Sequence, residues 1–187
     1  MRPDGRRCVL VTGFGPFLGV TDNPSARLAL ALDDPHGDPR IIGRVIPVSY
    51  ASGPRTSVEW ALDEGADLVL GIGVAMQRTA PFVERVGRRV LDPAILDADG
   101  QARSVVAPQG EAERASTLDV ERLASLLGCG VSDDAGAYVC NAWLYEVVGH
   151  LGDRCPVGFL HLPPQGMDPA LLREAIHGLL VGDARVG

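Results

Sequence analysis

CVLVT, at residues 8–12, runs directly into the glycine-rich loop GFGPFLG at 13–19. A continuous apolar run of this length that ends in glycine is typical of a β-strand buried on both faces. Pro24 and the apolar segment SARLALAL that follows it predict a helix, with Asn23 as its N-cap. The opening therefore predicts a strand–loop–helix unit, from which α/β folds are built.

The rest of the chain alternates between strand-like and helix-like segments. Apolar runs predict strands at 41–48, 67–73, 129–132 and 156–162, with an extended edge segment at 81–91. Apolar spacing and capping residues predict helices at 54–64 (capped by Ser52 and ended by Gly65), 118–127, 139–151 and 169–181. Residues 92–116 are polar and irregular, and we predict no element there. We expect one α/β domain over residues 1–187, a three-layer α/β/α sandwich around a largely parallel, mixed, twisted sheet.

Composition narrows the possible chemistry. All 17 basic residues are arginine, which excludes a Schiff-base lysine, a lysine general base and the phosphate-binding lysine of a P-loop. A net charge of −7 without long basic runs argues against nucleic acid or an anionic membrane surface as partner. No apolar run reaches the roughly 18 residues of a transmembrane helix, and the first residues lack signal-peptide features. We therefore expect a cytoplasmic protein with reduced cysteines.

The first loop invites comparison with a dinucleotide-binding loop. The GxGxxG pattern would need glycine where Leu18 stands, and Pro16 interrupts the turn. The loop instead presents Phe14 and Phe17 at the carboxyl end of the first strand, where open α/β sheets bind ligands. The two rings either contact a ligand or fill the core.

One cysteine is a candidate nucleophile. The four cysteines form no CxxC pair, which argues against a structural zinc site. Cys140 differs from the other three because it lies in the first turn of the helix predicted at 139–151. Free N–H groups and the helix dipole favour a thiolate there and can bind an oxyanion. The alternative is a packed structural thiol.

A cysteine nucleophile needs a base, usually histidine, and the histidine needs an orienting acceptor. His161 lies at the carboxyl end of the last predicted strand, whereas His150 is assigned to an exposed helix pair with Glu146. Glu84, a carboxylate among apolar residues, is the candidate acceptor. Its alternative is a surface charge paired with Arg85.

Five segments, in order along almost the whole chain, carry a family resemblance: VLVTGFGPFLGVTDNPS (9–25), GIG…R (71–78), FVERV (82–86), AGAYVCN (135–141) and GFLHLP (158–163). They resemble the pyroglutamyl peptidase I family, cysteine peptidases that remove an N-terminal 5-oxoproline. The resemblance implies a Cys-His-Glu triad, which falls on Cys140, His161 and Glu84.

The resemblance also implies a substrate and a pocket. The substrate would be a small peptide or acyl amide, cleaved through a thioester without metal or organic cofactor. The substrate-binding residues would be Phe14, Phe17, Asn23, Val74, Ile95 and Val139. Relatives often assemble, and the sequence leaves the formation of a homo-oligomer open.

The sequence departs from the family at the expected pocket wall. Val74 stands where the family usually has Gln, and Met76 and Gln77 stand where it has two glycines. Arg89 replaces the family's usual Asn, and Ala94 replaces its usual Arg. Arg78, Arg88 and Arg89 are the candidates to replace the arginine missing at Ala94. Two alternative functions follow. One is the same triad acting as an amidase, thioesterase or esterase on another small acyl substrate, and the other is a catalytically silent binding protein.

Overall fold

A six-stranded mixed sheet forms the centre of the computed structural model, which describes residues 5–17, 19 and 21–183. Leu18 and Val20 of the first loop lie outside the described residues. In chain order the strands are β1 (Cys8–Phe14), β2 (Arg40–Ile46), β3 (Leu68–Val74), β4 (Phe82–Glu84), β5 (Val86–Arg88), β6 (Glu113–Ala115), β7 (Gly130–Ser132) and β8 (Val157–Leu162). The helices are α1 (Pro24–Leu32), α2 (Ser52–Glu64), α3 (Val120–Leu127), α4 (Val139–Leu151) and α5 (Pro169–Asp183).

The strand order in the main sheet is β2-β1-β3-β8-β4-β7, and β5 and β6 form a separate antiparallel pair. β2, β1, β3 and β8 are parallel to one another, whereas β4 is antiparallel to β8. Two apolar clusters cover the two faces, one shared with α2 and α4 and the other with α1, α3 and α5. The predicted three-layer α/β/α sandwich is confirmed.

The chain order places a crevice between two strands. After β1 the chain adds β2 on one side, and it then adds β3 on the other side. The carboxyl ends of β1 and β3 therefore flank a topological switch point, the usual ligand position in an open α/β sheet. Phe14 ends β1 at this crevice, and Val74 ends β3 there.

Local signals explain most helix boundaries. The Asn23 side chain accepts a hydrogen bond from the Ser25 N–H at 3.0 Å, as expected of an N-cap, and α2 ends at Gly65 with φ of 59°. The prediction that Ser52 caps α2 is wrong because Ser52 is already helical. The hydroxyl of Ser49 accepts from the N–H groups of Ala51 and Ser52 at 3.3 and 3.2 Å instead.

The segment at 81–91 is not a single edge strand, which corrects the prediction. It divides into β4 and β5, separated by Arg85, and β4 lies between β8 and β7 inside the sheet. The edge position belongs to β7, which pairs with β4 in parallel. No helix in the described part of the chain combines the length and hydropathy needed to cross a membrane.

Candidate active site

The carboxyl end of β8 brings His161 next to Glu84. In the antiparallel β4–β8 pair, His161 lies opposite Phe82, so Glu84 projects from the same face as a diagonal neighbour. His161 Nδ1 lies 2.7 Å from Glu84 Oε1, and the two residues are only 5% and 0% exposed. A carboxylate at this distance accepts a hydrogen bond from Nδ1–H, which leaves Nε2 with its lone pair for proton transfer.

Arg78 holds the same carboxylate from another direction. Its Nη1 lies 2.9 Å from Glu84 Oε1, and its Nη2 donates to Ser132 Oγ and the Asp134 carbonyl, both at 2.9 Å. The guanidinium carbon also lies 4.6 Å from the centroid of the Phe82 ring. These contacts fix Arg78 in place, so its charge compensates that of buried Glu84 and restricts the carboxylate's position.

Cys140, in the first turn of α4, approaches the sheet on the face that carries His161. Gly73 is the cross-strand partner of His161, and a Cβ added to Gly73 would lie 2.7 Å from Cys140 Sγ. The sulfur thus occupies space left by a glycine beside the histidine. Cys140 and His161 line one cavity of about 480 Å³, although no hydrogen bond joins them among the residues described.

Burial controls the state of the Cys140 thiol. It raises the pKa of Cys140 to about 12, and the negative charge of Glu84 acts in the same direction. The backbone N–H of Cys140 lowers this pKa, but the effect is smaller than that of burial. The expectation of a helix-stabilised thiolate is therefore wrong for this state. The thiol carries its proton near neutral pH, and attack requires transfer of that proton to a base.

A narrow slot opens beside Cys140 at the switch point. Its lining consists of Phe14, Phe17, Asn23, Val48, Val74, Tyr138, Val139 and Cys140. Every residue expected to bind substrate is in this lining except Ile95, which lies on the wall of the 480 Å³ cavity. The slot is largely apolar and aromatic, which suits a flat uncharged ring.

Two slot residues were not predicted from the sequence, Val48 and Tyr138. The Tyr138 ring centroid lies 6.0 Å from that of Phe17 and 5.7 Å from that of Tyr50, and its hydroxyl donates to the Leu96 carbonyl at 2.9 Å. The sequence signal that could have identified Tyr138 as a slot residue is its position directly before Val139 and Cys140. Tyr138 therefore forms a fixed aromatic wall, since its polar end is already bonded.

Asn23 shapes the slot by holding the loop above it. Its Nδ2 donates to the Gly15 carbonyl at 3.0 Å, and its Oδ1 accepts from the Ser25 N–H and hydroxyl at 3.0 and 2.8 Å. The Ser25 hydroxyl in turn accepts from the Phe14 N–H at 3.0 Å. These bonds fix the Phe14–Gly15 backbone and use most of the Asn23 amide.

Of the three arginines that could replace the one missing at Ala94, Arg78 is the one that lines the cavity. Arg88 pairs with Glu113 at 3.0 Å and Asp134 at 3.3 Å, and Arg89 donates to the Pro108 carbonyl at 3.2 Å. Neither side chain lines the slot or the adjoining cavity, whereas Arg78 lines the cavity. Arg78 contacts Glu84, so it serves the carboxylate rather than the slot.

His150 pairs with a carboxylate on its own helix, α4. His150 Nε2 lies 3.6 Å from Glu146 Oε2, as the i,i+4 spacing predicted. All four cysteines are free thiols. Within residues 5–17, 19 and 21–183, no three His, Cys, Asp or Glu side chains are grouped to hold a metal ion.

Comparisons with known proteins show the family and the fold of this chain. A family model described as pyroglutamyl peptidase matches residues 7–169. The pyrrolidone-carboxylate peptidase of Pyrococcus furiosus is 32% identical over 167 residues, covering 83% of this chain and 80% of that protein. The Klebsiella pneumoniae protein of the same name is 36% identical over 168 residues, covering 83% and 77%. A solved mutant pyrrolidone carboxyl peptidase from P. furiosus has a TM-score of 0.80 at 27% identity, covering 93% of this chain and 96% of that one.

Proposed function

The chain belongs to the pyroglutamyl peptidase family, and from that membership we propose that it removes N-terminal 5-oxoproline from peptides, with Cys140 as nucleophile. The observation that carries the assignment of residues is the buried His161–Glu84 pair, 2.7 Å apart, on the cavity that Cys140 also lines. His161 is then the general base and Glu84 its orienting acceptor.

Acylation begins with proton transfer. His161 Nε2 takes the thiol proton while Sγ bonds to the carbonyl carbon that links 5-oxoproline to the next residue. Backbone N–H groups in the first turn of α4 hold the negative oxygen of the tetrahedral intermediate. The C–N bond then breaks, and imidazolium His161 gives its proton to the leaving amine. Glu84 stabilises the imidazolium throughout.

Deacylation repeats these roles with water. His161 removes a proton from water, the resulting hydroxide adds to the thioester carbon, and the thiolate leaves. The proton on His161 returns to the sulfur, which restores the neutral Cys140 thiol and releases free 5-oxoproline. The raised pKa of Cys140 favours this return of the proton.

The slot explains why 5-oxoproline would be preferred to an ordinary N-terminal residue. A free N-terminus carries an ammonium, whereas the lactam nitrogen of 5-oxoproline is uncharged. Among the described residues that line the slot there is no carboxylate, so burying an ammonium there would leave it unpaired. The neutral ring avoids that cost and packs against Phe14, Phe17 and Tyr138.

A second candidate function uses the same catalytic residues. Val74 supplies no polar group to the slot, and the Asn23 amide is engaged by Gly15 and Ser25. A slot with few polar side-chain partners favours other flat, uncharged acyl groups as well. Amide, ester and thioester donors carrying such groups test this, and turnover confined to 5-oxoproline would exclude it.

The primary experiment measures hydrolysis of 5-oxoprolyl-7-amido-4-methylcoumarin. We expect turnover by the wild type and by Cys129→Ala, a matched cysteine control outside the cavity. Cys140→Ala should lose at least about a thousandfold in kcat, because Cys140 is the one cysteine among the described residues that line the slot and the cavity. Absence of wild-type turnover in a correctly folded sample would overturn the proposal, and the other acyl donors would then distinguish the second candidate function from a silent binding protein.

A further inference from the structure

Three adjoining hollows meet at the end of β3. They are the slot, the 480 Å³ cavity, and a groove of about 210 Å³ that contains Arg27 and Pro164. Val74 lines all three, and Met76 lines both the cavity and the groove. Met76 therefore forms a ridge between two possible paths for the peptide that follows 5-oxoproline.

The proposed chemistry decides between the two paths. The leaving amine must lie next to His161, because His161 supplies its proton. Both Cys140 and His161 line the 480 Å³ cavity, whereas neither lines the groove. With the ring in the slot, the residue after it must enter the cavity.

Apolar side chains form part of the cavity wall. Met76 and Ile95 are 61% and 36% exposed, so both offer apolar surface that a ligand can cover. Ala75 and Ala135 extend the same wall. The unbranched thioether side chain of Met76 adapts to partners of different shape.

The cation on the cavity wall, Arg78, is already paired with Glu84, and a carboxylate, Asp134, also lines the wall. The Arg78 guanidinium is already engaged by Glu84, Ser132 and the Asp134 carbonyl. Asp134 itself adds a negative charge at the rim, only partly offset by Arg88 at 3.3 Å. A carboxylate entering the cavity would meet like charge.

We propose that the Met76–Ile95 wall selects peptides with an apolar residue directly after 5-oxoproline and disfavours an acidic residue there. The inference rests on the proposed function and adds the side-chain class of the leaving residue. Met76 is the specificity-determining residue in this arrangement, and it stands where the family usually has glycine.

The test uses three peptides, 5-oxoprolyl-Leu-Gly, 5-oxoprolyl-Ala-Gly and 5-oxoprolyl-Asp-Gly, with release followed by chromatography. We expect kcat/KM to be about tenfold higher for the leucine peptide than for the alanine peptide, and lowest for the aspartate peptide. Met76→Ser should reduce the leucine-to-alanine ratio about fivefold, and Met76→Leu should preserve it. Leu62→Ser, at an exposed leucine on α2, is the matched control and should leave the ratio unchanged.

The outcomes separate this inference from the function on which it rests. Equal kcat/KM values for the three peptides, or a ratio that Met76→Ser leaves unchanged, would overturn the inference while the function stands. Failure to cleave the peptides and the coumarin amide alike would overturn both. Asp134→Asn should raise kcat/KM for the aspartate peptide several-fold relative to the leucine peptide, and no change would contradict the role given to its charge.

Discussion

At the residue scale, the Cys140 thiol is held in its neutral form. Its sulfur and the Phe159 ring both crowd Gly73, since a Cβ added to that glycine would lie 2.7 Å from the sulfur and 2.9 Å from the ring. Such burial disfavours the thiolate, and the nearby Glu84 charge disfavours it further. Reactivity must therefore come from proton transfer during the reaction rather than from a standing thiolate.

This state predicts the pH dependence of alkylation. Only the thiolate reacts with iodoacetamide, so a pKa raised to about 12 leaves a very small reactive fraction at neutral pH. The alkylation rate of Cys140 should rise about tenfold per pH unit from pH 7 to 10, without a plateau, as followed by mass spectrometry of the Cys140 peptide. A plateau near pH 6–7 would indicate a stable thiolate–imidazolium pair and contradict this interpretation.

The proposed mechanism gives Arg78 the role of a positioning residue, because Arg78 contacts Glu84 and not the reacting atoms. Arg78→Gln should lower kcat by about ten- to a hundredfold with little change in KM, since the base is misoriented while the slot is untouched. Arg78→Lys keeps the charge near Glu84 Oε1 and should recover part of kcat. Steady-state kinetics on the coumarin amide measures both parameters, and a raised KM with unchanged kcat would assign Arg78 to substrate binding instead.

At the element scale, the meeting of β3 with α4 depends on two glycines. A Cβ on Gly71 would lie 2.6 Å from atoms of both Phe159 and Trp143, and one on Gly73 would lie 2.7 Å from Cys140 Sγ. These glycines allow α4 to pack directly on the strand. The position of Cys140, the proposed nucleophile, is therefore set by a close helix–strand contact.

Gly73→Ala tests this contact. The added methyl group must displace the Cys140 sulfur or the Phe159 ring, so we expect a loss of about 1–3 kcal/mol in unfolding free energy and at least tenfold in kcat. In Gly178→Ala, on α5, the added methyl group meets only the movable end of the Leu126 side chain, at 3.0 Å, and should leave kcat unchanged. Urea unfolding and steady-state kinetics give the two quantities. Wild-type kcat in Gly73→Ala would show that the contact does not position the sulfur.

The sequence predicts elements well where the signal is local, and less well where pairing decides. The Asn23 cap, the Gly65 helix end and the long buried strands follow from neighbouring residues. The interior position of β4 does not follow from neighbouring residues, because it depends on pairing with β7. The paired residues Glu84 and Ser132 are 48 positions apart in the sequence (132 − 84).

In the candidate site, too, the sequence predicts what neighbouring residues decide and misses contacts between distant residues. His161 and Glu84 were selected from strand position and apolar context, and the structure places them 2.7 Å apart across 77 residues. The contact of Arg78 with Ser132 spans 54 residues, and no local pattern indicates it. The raised pKa of Cys140 likewise depends on how deeply the sulfur packs, which the helix pattern alone does not give.

At the scale of the whole molecule, one sheet joins the two faces. β1 contributes Cys8, Leu10 and Phe14 to the cluster under α2 and α4, and Val9 and Val11 to the cluster under α1, α3 and α5. The catalytic candidates lie on the first face, so loss of packing on the opposite face should reach them through the shared strands. The chain from 1 to 187 is therefore predicted to unfold as one domain.

Leu172→Ala tests this cooperativity from the face away from the site. Leu172 is fully buried on α5, so the substitution should remove about 2–5 kcal/mol of unfolding free energy. In a Trp60→Phe background, fluorescence reports on Trp143 of α4 alone, and far-UV circular dichroism reports on all helices. Because both faces share β1, the two urea transitions should coincide and move together to lower urea. Leu171→Ala, at the exposed neighbouring position, should shift neither, whereas a circular-dichroism transition that moves without the Trp143 transition would show two independently unfolding units.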